Sequence, residues 1–191
     1  SSYCGVYTIS SESSSASDCS ELSSVGFDST TGLCPVCKKF LAVASVKIGE
    51  TTTYYKTLNE AVTKAGEGTE TAPATLTLLA DIDLGSGYQE IKSGVFTLDL
   101  NGFKLAGTNS GYGVLYIRGS KTNITITDGS AEQAGTITGE SYGVYASSST
   151  VIISDGTISG TEYGVYADDS TVTISGGTIT GTGRYLKDYL K

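Results

Sequence analysis

Four cysteines are the side chains in this chain best suited to bind a metal ion or to form covalent cross-links. They are Cys4, Cys19, Cys34 and Cys37, all within the first forty positions. The Cys34-Pro-Val-Cys37 spacing is typical of a zinc knuckle, and Cys4 with Cys19 would complete a tetrahedral site of four thiolates. Two disulfides are the alternative, because an even number of cysteines is expected to pair in an oxidising compartment. Either arrangement predicts a structural clasp rather than a reactive centre.

Tyrosines form the second set of candidate functional side chains. Tyr142-Gly-Val-Tyr-Ala recurs as Tyr163-Gly-Val-Tyr-Ala, an offset of 21 residues. This offset would place Tyr142 beside Tyr163 and Tyr145 beside Tyr166 in two short ladders, and Tyr112 would extend the first ladder. Outward rings present a flat apolar surface with a hydroxyl at its edge, which suits sugar rings or a protein partner. The alternative is that such ladders only stabilise the fold.

Groups suited to general acid or base catalysis are few. The chain of 191 residues contains no His, which excludes Ser-His-Asp and Cys-His catalysis as well as His metal ligands. Asp168-Asp169 is the adjacent acidic pair in the repeat region, and Glu140, Asp155 and Glu162 lie near it in repeat register. Paired carboxylates can cleave glycosidic bonds. Acidic residues at a corner position are more commonly just solvated, so we favour a protein without catalytic activity.

The charge balance argues against two classes of partner. The chain has 12 Lys and Arg and 20 Asp and Glu, so its formal net charge is -8. We therefore expect no basic surface that would neutralise the phosphates of a nucleic acid. No apolar stretch approaches the roughly 20 residues of a membrane-spanning helix, so we expect no membrane insertion. Because the sequence starts at Ser1 and has no Met, we expect a processed chain or a monomeric module of a larger protein.

The elements that must position these side chains follow from internal repeats. Ser149–Gly160 recurs as Ser170–Gly181 at the same offset of 21 residues, with short alternating runs separated by Gly-containing corners. Such runs are too short for helical repeats. They predict the coils of a parallel β-solenoid over residues 75–183, in which each strand pairs with its counterpart in the next coil. Alternation directs Val151, Ile153 and Ile158 to the interior.

The corners between runs carry a second signal. Four dipeptides occupy one place in successive repeats: Asn101-Gly102, Asp128-Gly129, Asp155-Gly156 and Gly176-Gly177. Asn, Asp and above all Gly tolerate the left-handed backbone. We therefore predict one recurring turn with positive φ at all four places.

The part of the chain that precedes the coils is expected to close the solenoid. Residues 1–40 form a Ser-rich segment that carries the cysteines, and residues 41–68 form a hairpin and a helix. The hairpin turns at Gly49-Glu50, and the helix starts with the capping box Thr57-Leu-Asn-Glu60. The helix at 57–65 is well placed to plug the N-terminal end of the coils. Residues 184–191 suit a short amphipathic cap or a shortened coil at the other end.

A hydroxyl ladder gives a minor alternative function. The outward side chains of Thr-Ile-Thr or Thr-Ile-Ser runs at 136–138, 157–159 and 178–180 would form three rungs on a flat sheet, as in ice-binding solenoids. Outward Thr is also common in ordinary sheets.

The order of these motifs resembles one known group of proteins. A helix, then Ala74-Thr-Leu-Thr-Leu-Leu, then Phe96-Thr-Leu-Asp-Leu-Asn-Gly, then the Tyr-Gly-Val-Tyr and Gly-Thr-Ile-Ser-Gly repeats is similar to right-handed parallel β-helix (pectate-lyase-like) domains of Gram-positive bacterial surface proteins. The resemblance covers residues 40–183. It implies an all-β, right-handed parallel β-helix that is secreted or attached to the cell wall. It also implies an adhesion module that contacts glycans or host proteins, or a rigid stalk, with a polysaccharide-active lyase or hydrolase as the alternative.

Overall fold

The computed structural model describes residues 2–3, 7–8, 28–34 and 40–182. These residues form mostly β-strands, with one α-helix among them. In chain order the elements are β1 (Ser2–Tyr3), β2 (Tyr7–Thr8), β3 (Ala44–Ile48), β4 (Thr51–Tyr55), α1 (Leu58–Ala65), β5 (Ala74–Leu78), β6 (Ile82–Asp83), β7 (Gln89–Ile91), β8 (Val95–Asp99), β9 (Lys104–Gly107), β10 (Leu115–Arg118), β11 (Asn123–Thr127), β12 (Thr136–Gly139), β13 (Tyr142–Ser147), β14 (Thr150–Ile153), β15 (Thr157–Gly160), β16 (Tyr163–Asp168), β17 (Thr171–Ile174) and β18 (Thr178–Thr180). Most of the predicted Ser-rich segment 1–40 and all of the predicted C-terminal segment 184–191 lie outside the described residues.

From β5 onwards, successive strands join three sheets in strict rotation. Sheet A contains β5, β8, β11, β14 and β17; sheet B contains β6, β9, β12, β15 and β18; sheet C contains β7, β10, β13 and β16. Every pair of neighbours in these three series is parallel. The fold is therefore an all-β arrangement of parallel sheets, and the rotation is compatible with the predicted solenoid.

The register of the last repeats agrees with the offset in the sequence. Val144 pairs with Val165, and Ile153 pairs with Ile174. Val144, Val165 and Ile153 are fully buried, so like side chains form columns in the core. A shift of one residue would turn every column outwards, and the register is therefore fixed by the apolar pattern itself.

The β3–β4 hairpin extends sheet A beyond its first parallel strand, β5, and the helix packs beside it. β3 and β4 pair antiparallel across the turn at Gly49, and β3 also pairs antiparallel with β5. The Thr57 hydroxyl accepts a hydrogen bond from the Glu60 amide at 3.3 Å, as the capping box predicts. The apolar stripe of α1 is buried and packs against β3, β4, β5 and β7. Both elements thus lie beside the first strands of sheets A and C.

Three of the four corner dipeptides have the predicted backbone. Asn101, Gly102, Gly156 and Gly177 all have positive φ. The prediction is wrong for Asp128-Gly129, where neither residue does. The chain continues there into an insertion, residues 130–135, and the left-handed residue lies within it at Gln133, which has φ 49°.

The carboxylate of Asp128 accepts the hydrogen bonds that hold the corner at residues 128–135 together. The side chain accepts hydrogen bonds from the backbone amides of Gly102 (2.8 Å), Ser130 (3.2 Å) and Gly135 (2.6 Å), and from the Ser130 hydroxyl (2.8 Å). Burial raises the pKa of Asp128, but these donors together outweigh burial and hold the pKa below its usual value. A Cβ at Gly135 would lie 2.8 Å from the carboxylate oxygen, so the close approach requires glycine.

We expect the two paired isoleucines to differ sharply in their contribution to stability. Ile153 is fully buried, whereas Ile174, its neighbour on the last described strand of sheet A, is 42% exposed. Ile153→Ala should lower the free energy of unfolding by about 2 to 5 kcal/mol through lost burial and the cavity left behind. Ile174→Ala, the matched control, should cost about 1 kcal/mol or less. Urea unfolding measures both, and equal losses would contradict the assignment of the core column.

Asp128→Asn should destabilise the fold in a pH-dependent way. An amide nitrogen cannot accept from the donors that surround the carboxylate, and the expected loss near neutral pH is about 1 to 3 kcal/mol. Because the folded-state pKa is lowered, the contribution of Asp128 is present above its unfolded pKa of about 3.9 and is lost as the pH falls through the folded value. The difference between variant and wild type should therefore shrink in acid.

The matched control for this experiment is Glu132→Gln, because Glu132 is exposed in the same insertion. It removes the same charge, and we expect it to leave the unfolding curves nearly unchanged. A gap between Asp128→Asn and wild type that stays constant from pH 7 to pH 2 would contradict the role of the ionised carboxylate.

Candidate functional site

Seven tyrosines form one continuous surface feature, which we call the tyrosine strip. Five of them lie on the strands of sheet C, and two lie in the loops that lead into β7 and β10. The members are Tyr88, Tyr112, Tyr116, Tyr142, Tyr145, Tyr163 and Tyr166. Each ring contacts at least two others of the strip.

The tyrosine ladders arise from strand register. Tyr116, Tyr145 and Tyr166 are aligned on neighbouring strands, with ring centroids 5.3 Å and 4.9 Å apart. Tyr142 is aligned with Tyr163 at 5.9 Å. Because residues alternate along a strand, the burial of the valines at 144 and 165 directs the rings at 145 and 166 outwards.

The sequence does not predict that Tyr88 and Tyr116 belong to the strip, and it assigns Tyr112 to the wrong ladder. The motif Tyr112-Gly-Val114 suggested that Tyr112 extends the ladder of Tyr142. In the structure Leu115 pairs with Val144, so the strand is shifted by one residue and Tyr116 takes the aligned place next to Tyr145. The alternation Leu115-Tyr116-Ile117 carried this information, whereas the match of residue types did not. No repeat motif marked Tyr88, which lies before β7.

The rings are not equally accessible. Tyr88 is 40% exposed and Tyr112 is 41% exposed, while the other five are half-buried. Tyr145 and Tyr166 stack with an angle of 18° between their planes, so each covers a face of the other and leaves mainly its edge and hydroxyl to solvent. The expected flat apolar face is therefore concentrated at Tyr88 and Tyr112, whose planes meet at 41°.

Hydrogen bonds between two loops hold this exposed pair of rings in place. The Thr108 amide donates to the Gly85 carbonyl at 2.7 Å, and the Asn109 side-chain amide donates to the Ser86 carbonyl at 3.0 Å. The side-chain oxygen Oδ1 of Asn109 accepts from the Tyr112 backbone amide at 2.8 Å. The loops before β7 and β10 thus form one hydrogen-bonded unit that orients both rings.

A polar row runs beside the aromatic ladder on the same face of sheet C. Arg118, Ser147 and Asp168 are aligned on β10, β13 and β16, two residues beyond the aligned tyrosines. Arg118 Nε donates to Glu90 Oε1 at 2.6 Å. This hydrogen bond and the charge of Glu90 hold the pKa of Arg118 above its usual value. The row therefore presents a paired cation, a hydroxyl and an exposed carboxylate in that order.

The other candidate residues have simpler surroundings. Asp168 and Asp169 are exposed at a corner, and Asp169 has φ 47°, as has Ser148 at the same corner one repeat earlier. The three hydroxyl rungs of sheet B are in register, and the Ser159 hydroxyl lies 3.5 Å from that of Thr138. A shallow depression of about 900 Å³ near the end of α1 has both charge types in its lining, from Glu67, Glu70, Lys92 and Lys121.

Only one of the four cysteines, Cys34, lies among the residues that the structure describes. Cys34 is fully buried, while Cys4, Cys19 and Cys37 lie outside the described residues. Among residues 28–34 and 40–182, no group of three or more Cys, His, Asp or Glu is arranged to hold a metal ion. Zinc binding and disulfide formation both stay predictions.

No protein family, no curated protein and no solved structure matches this chain. In the part of the chain that the structure describes, no helix has the length and apolar character needed to cross a membrane.

Tyr145 lies at the centre of the strip, and its ionisation should destabilise the fold. Burial, and then the negative charge of Asp168, raise the pKa of Tyr145. Because the folded pKa is raised, the contribution of the neutral phenol is fully present below the unfolded pKa of about 10 and is lost as the pH rises through the folded value. Tyr145→Phe should remove this part of the alkaline loss of stability, measured by urea unfolding between pH 8 and pH 11.

Tyr54→Phe serves as the matched control, because Tyr54 lies on β4 and its ring packs against Phe40 rather than in the strip. This variant should retain the alkaline loss that Tyr145 causes. If Tyr145→Phe and Tyr54→Phe unfold with the same pH dependence, the shift at Tyr145 has no consequence for stability.

Proposed function

We propose that this protein is a right-handed parallel β-helix module that binds carbohydrate through the tyrosine strip and does not transform it. In this proposal α1 and the β3–β4 hairpin cap the first coil. The rotation of strands among three parallel sheets and the buried apolar stripe of α1 support the architecture. The observation that carries the function is the continuity of seven tyrosine rings on one face.

The chemistry of the strip suits sugars. A pyranose ring has apolar C–H faces and a rim of hydroxyls, and tyrosine matches both with its ring and its phenol. Tyr88 and Tyr112 offer open ring surface, and the stacked rings offer a row of hydroxyl edges. The hydrogen-bonded loops that hold the exposed pair reduce the entropy lost on binding. A protein partner would need roughly 800 Å² on each side, which a strip one or two rings wide does not supply.

The spacing of carboxylates on this face favours binding over catalysis. The strands of sheet C carry two carboxylates, Glu90 on β7 and Asp168 on β16. Three strand spacings separate them, about 14 Å, whereas the pair in a glycoside hydrolase lies about 5 to 9.5 Å apart. Glu90 is also engaged by Arg118, which leaves it poorly suited to donate or accept a proton.

The setting that we propose rests on the resemblance of the motifs rather than on the site. It is extracellular or attached to the cell wall of a Gram-positive bacterium, within a larger surface protein. Display of this kind would bring the strip to glycans of a host or of a neighbouring cell, as an adhesion function requires.

Removal of the exposed rings tests the proposal. Tyr88→Ser with Tyr112→Ser should raise the Kd for the glycans that the wild type binds on a glycan array by more than tenfold, because each aromatic contact contributes about 1 kcal/mol. Tyr145→Ser with Tyr166→Ser should weaken binding to a similar extent and also lower stability, because those rings pack on each other. Tyr54→Ser is the control outside the strip and should bind as the wild type does.

Two results would count against this proposal. Unchanged binding by a folded Tyr88→Ser, Tyr112→Ser variant would assign the strip to structure alone and favour the role of a rigid stalk. Release of shorter products from a bound glycan by the wild type would favour the polysaccharide-active enzyme instead.

A further inference from the structure

We propose that the ligand of the tyrosine strip is an uncharged, hydroxyl-rich oligosaccharide, and that Arg118, Ser147 and Asp168 hydrogen-bond its hydroxyls. This inference rests on the proposed function and deepens it, since it names the ligand class and the residues that select it. The observation that suggests this ligand is the strand register, which aligns a polar row directly beside an aromatic row on one face of sheet C.

The two rows can contact the same ligand. Residues two apart on a strand point to the same side, so Arg118, Ser147 and Asp168 project alongside the rings of Tyr116, Tyr145 and Tyr166. A sugar that lies along the exposed edges of these rings would therefore have its hydroxyls beside the polar row. Across β10, β13 and β16 the shared surface spans two strand spacings, about 10 Å, which fits a short oligosaccharide.

The polar row offers the donors and acceptors that sugar hydroxyls need. Arg118 engages Glu90 through Nε, and its side chain is 45% exposed, so its Nη groups face solvent as donors. The Ser147 hydroxyl both donates and accepts, and the exposed Asp168 carboxylate accepts. A hydroxyl on the ligand can donate to one and accept from another, whereas a carboxylate or sulfate on the ligand can only accept.

The charge of the strip disfavours acidic glycans. The one cation on the strands of sheet C is Arg118, and Glu90 neutralises it at 2.6 Å. At the other end Asp168 and Asp169 are both exposed, and the formal net charge of the chain is -8. Lys92, which directly follows β7, adds an exposed cation, but the carboxylates of Asp168 and Asp169 outnumber it. A uronate or sulfated sugar would thus approach a surface of net negative charge, and like charges across an interface are unfavourable.

The test is a glycan array on which each neutral oligosaccharide is printed beside the uronate and the sulfated form of the same linkage. The inference expects the bound members to be neutral and their binding to change little between low and physiological salt, since no ion pair forms. If the wild type binds uronates or sulfated glycans in preference, the inference is overturned while the proposed function stands. If it binds no glycan, both fail.

Point variants then test the polar row on the neutral glycan that binds best. Asp168→Asn should weaken binding about three- to tenfold because it replaces a charged acceptor by a neutral one, and Ser147→Ala should do so by a similar factor because it removes the hydroxyl. Asp169→Asn is the matched control, because it removes the same charge at the next residue outside the row, and Asn tolerates positive φ. Equal effects of Asp168→Asn and Asp169→Asn would overturn the assignment of Asp168 as a ligand-binding residue.

Discussion

Parallel, in-register pairing between strands of successive repeats is the constraint on which the rest of this molecule depends. It sets each residue beside its counterpart one repeat away, so whatever one repeat places inside or outside is continued by the next. Val144 beside Val165 continues the core, and Tyr145 beside Tyr166 continues the surface strip. The core and the candidate site are therefore two consequences of one hydrogen-bonding pattern, separated only by the alternation of side chains along a strand.

The same constraint explains the composition. Like charges directly opposite each other on neighbouring strands are destabilising, so a repeat in register cannot easily carry Lys or Glu at fixed outward positions. Only 17% of the residues are charged, and outward places hold Thr, Ser and Tyr, which tolerate being stacked on themselves. The polar row of sheet C conforms to this rule, because Arg118, Ser147 and Asp168 follow one another without two like charges in contact.

The sequence predicted the parts of the fold that repetition determines and missed those that depend on single insertions. The offset of 21 residues predicted the pairing of Ile153 with Ile174 and the outward ladder at Tyr145 and Tyr166. The match of Tyr112-Gly-Val114 to Tyr142-Gly-Val144 gave the wrong register, because one extra residue before β10 places Leu115 opposite Val144. The turn prediction failed at Asp128, because the insertion moves the left-handed residue to Gln133 and the Asp128 carboxylate accepts from the amides of Gly102 and Gly135, which no local pattern predicts.

Stacking and binding make different demands on the tyrosine strip, and the structure separates them along its length. Tyr145 and Tyr166 bury their faces against each other, so they contribute to stability and offer a ligand only their edges and hydroxyls. Tyr88 and Tyr112 are 40% and 41% exposed, and their loops are fixed by hydrogen bonds in which the rings take no part. Apolar area left in water is unfavourable unless a partner covers it. The hydrogen bonds that fix the loops do not require aromatic side chains at these two positions, whereas a ligand that packs against exposed rings does.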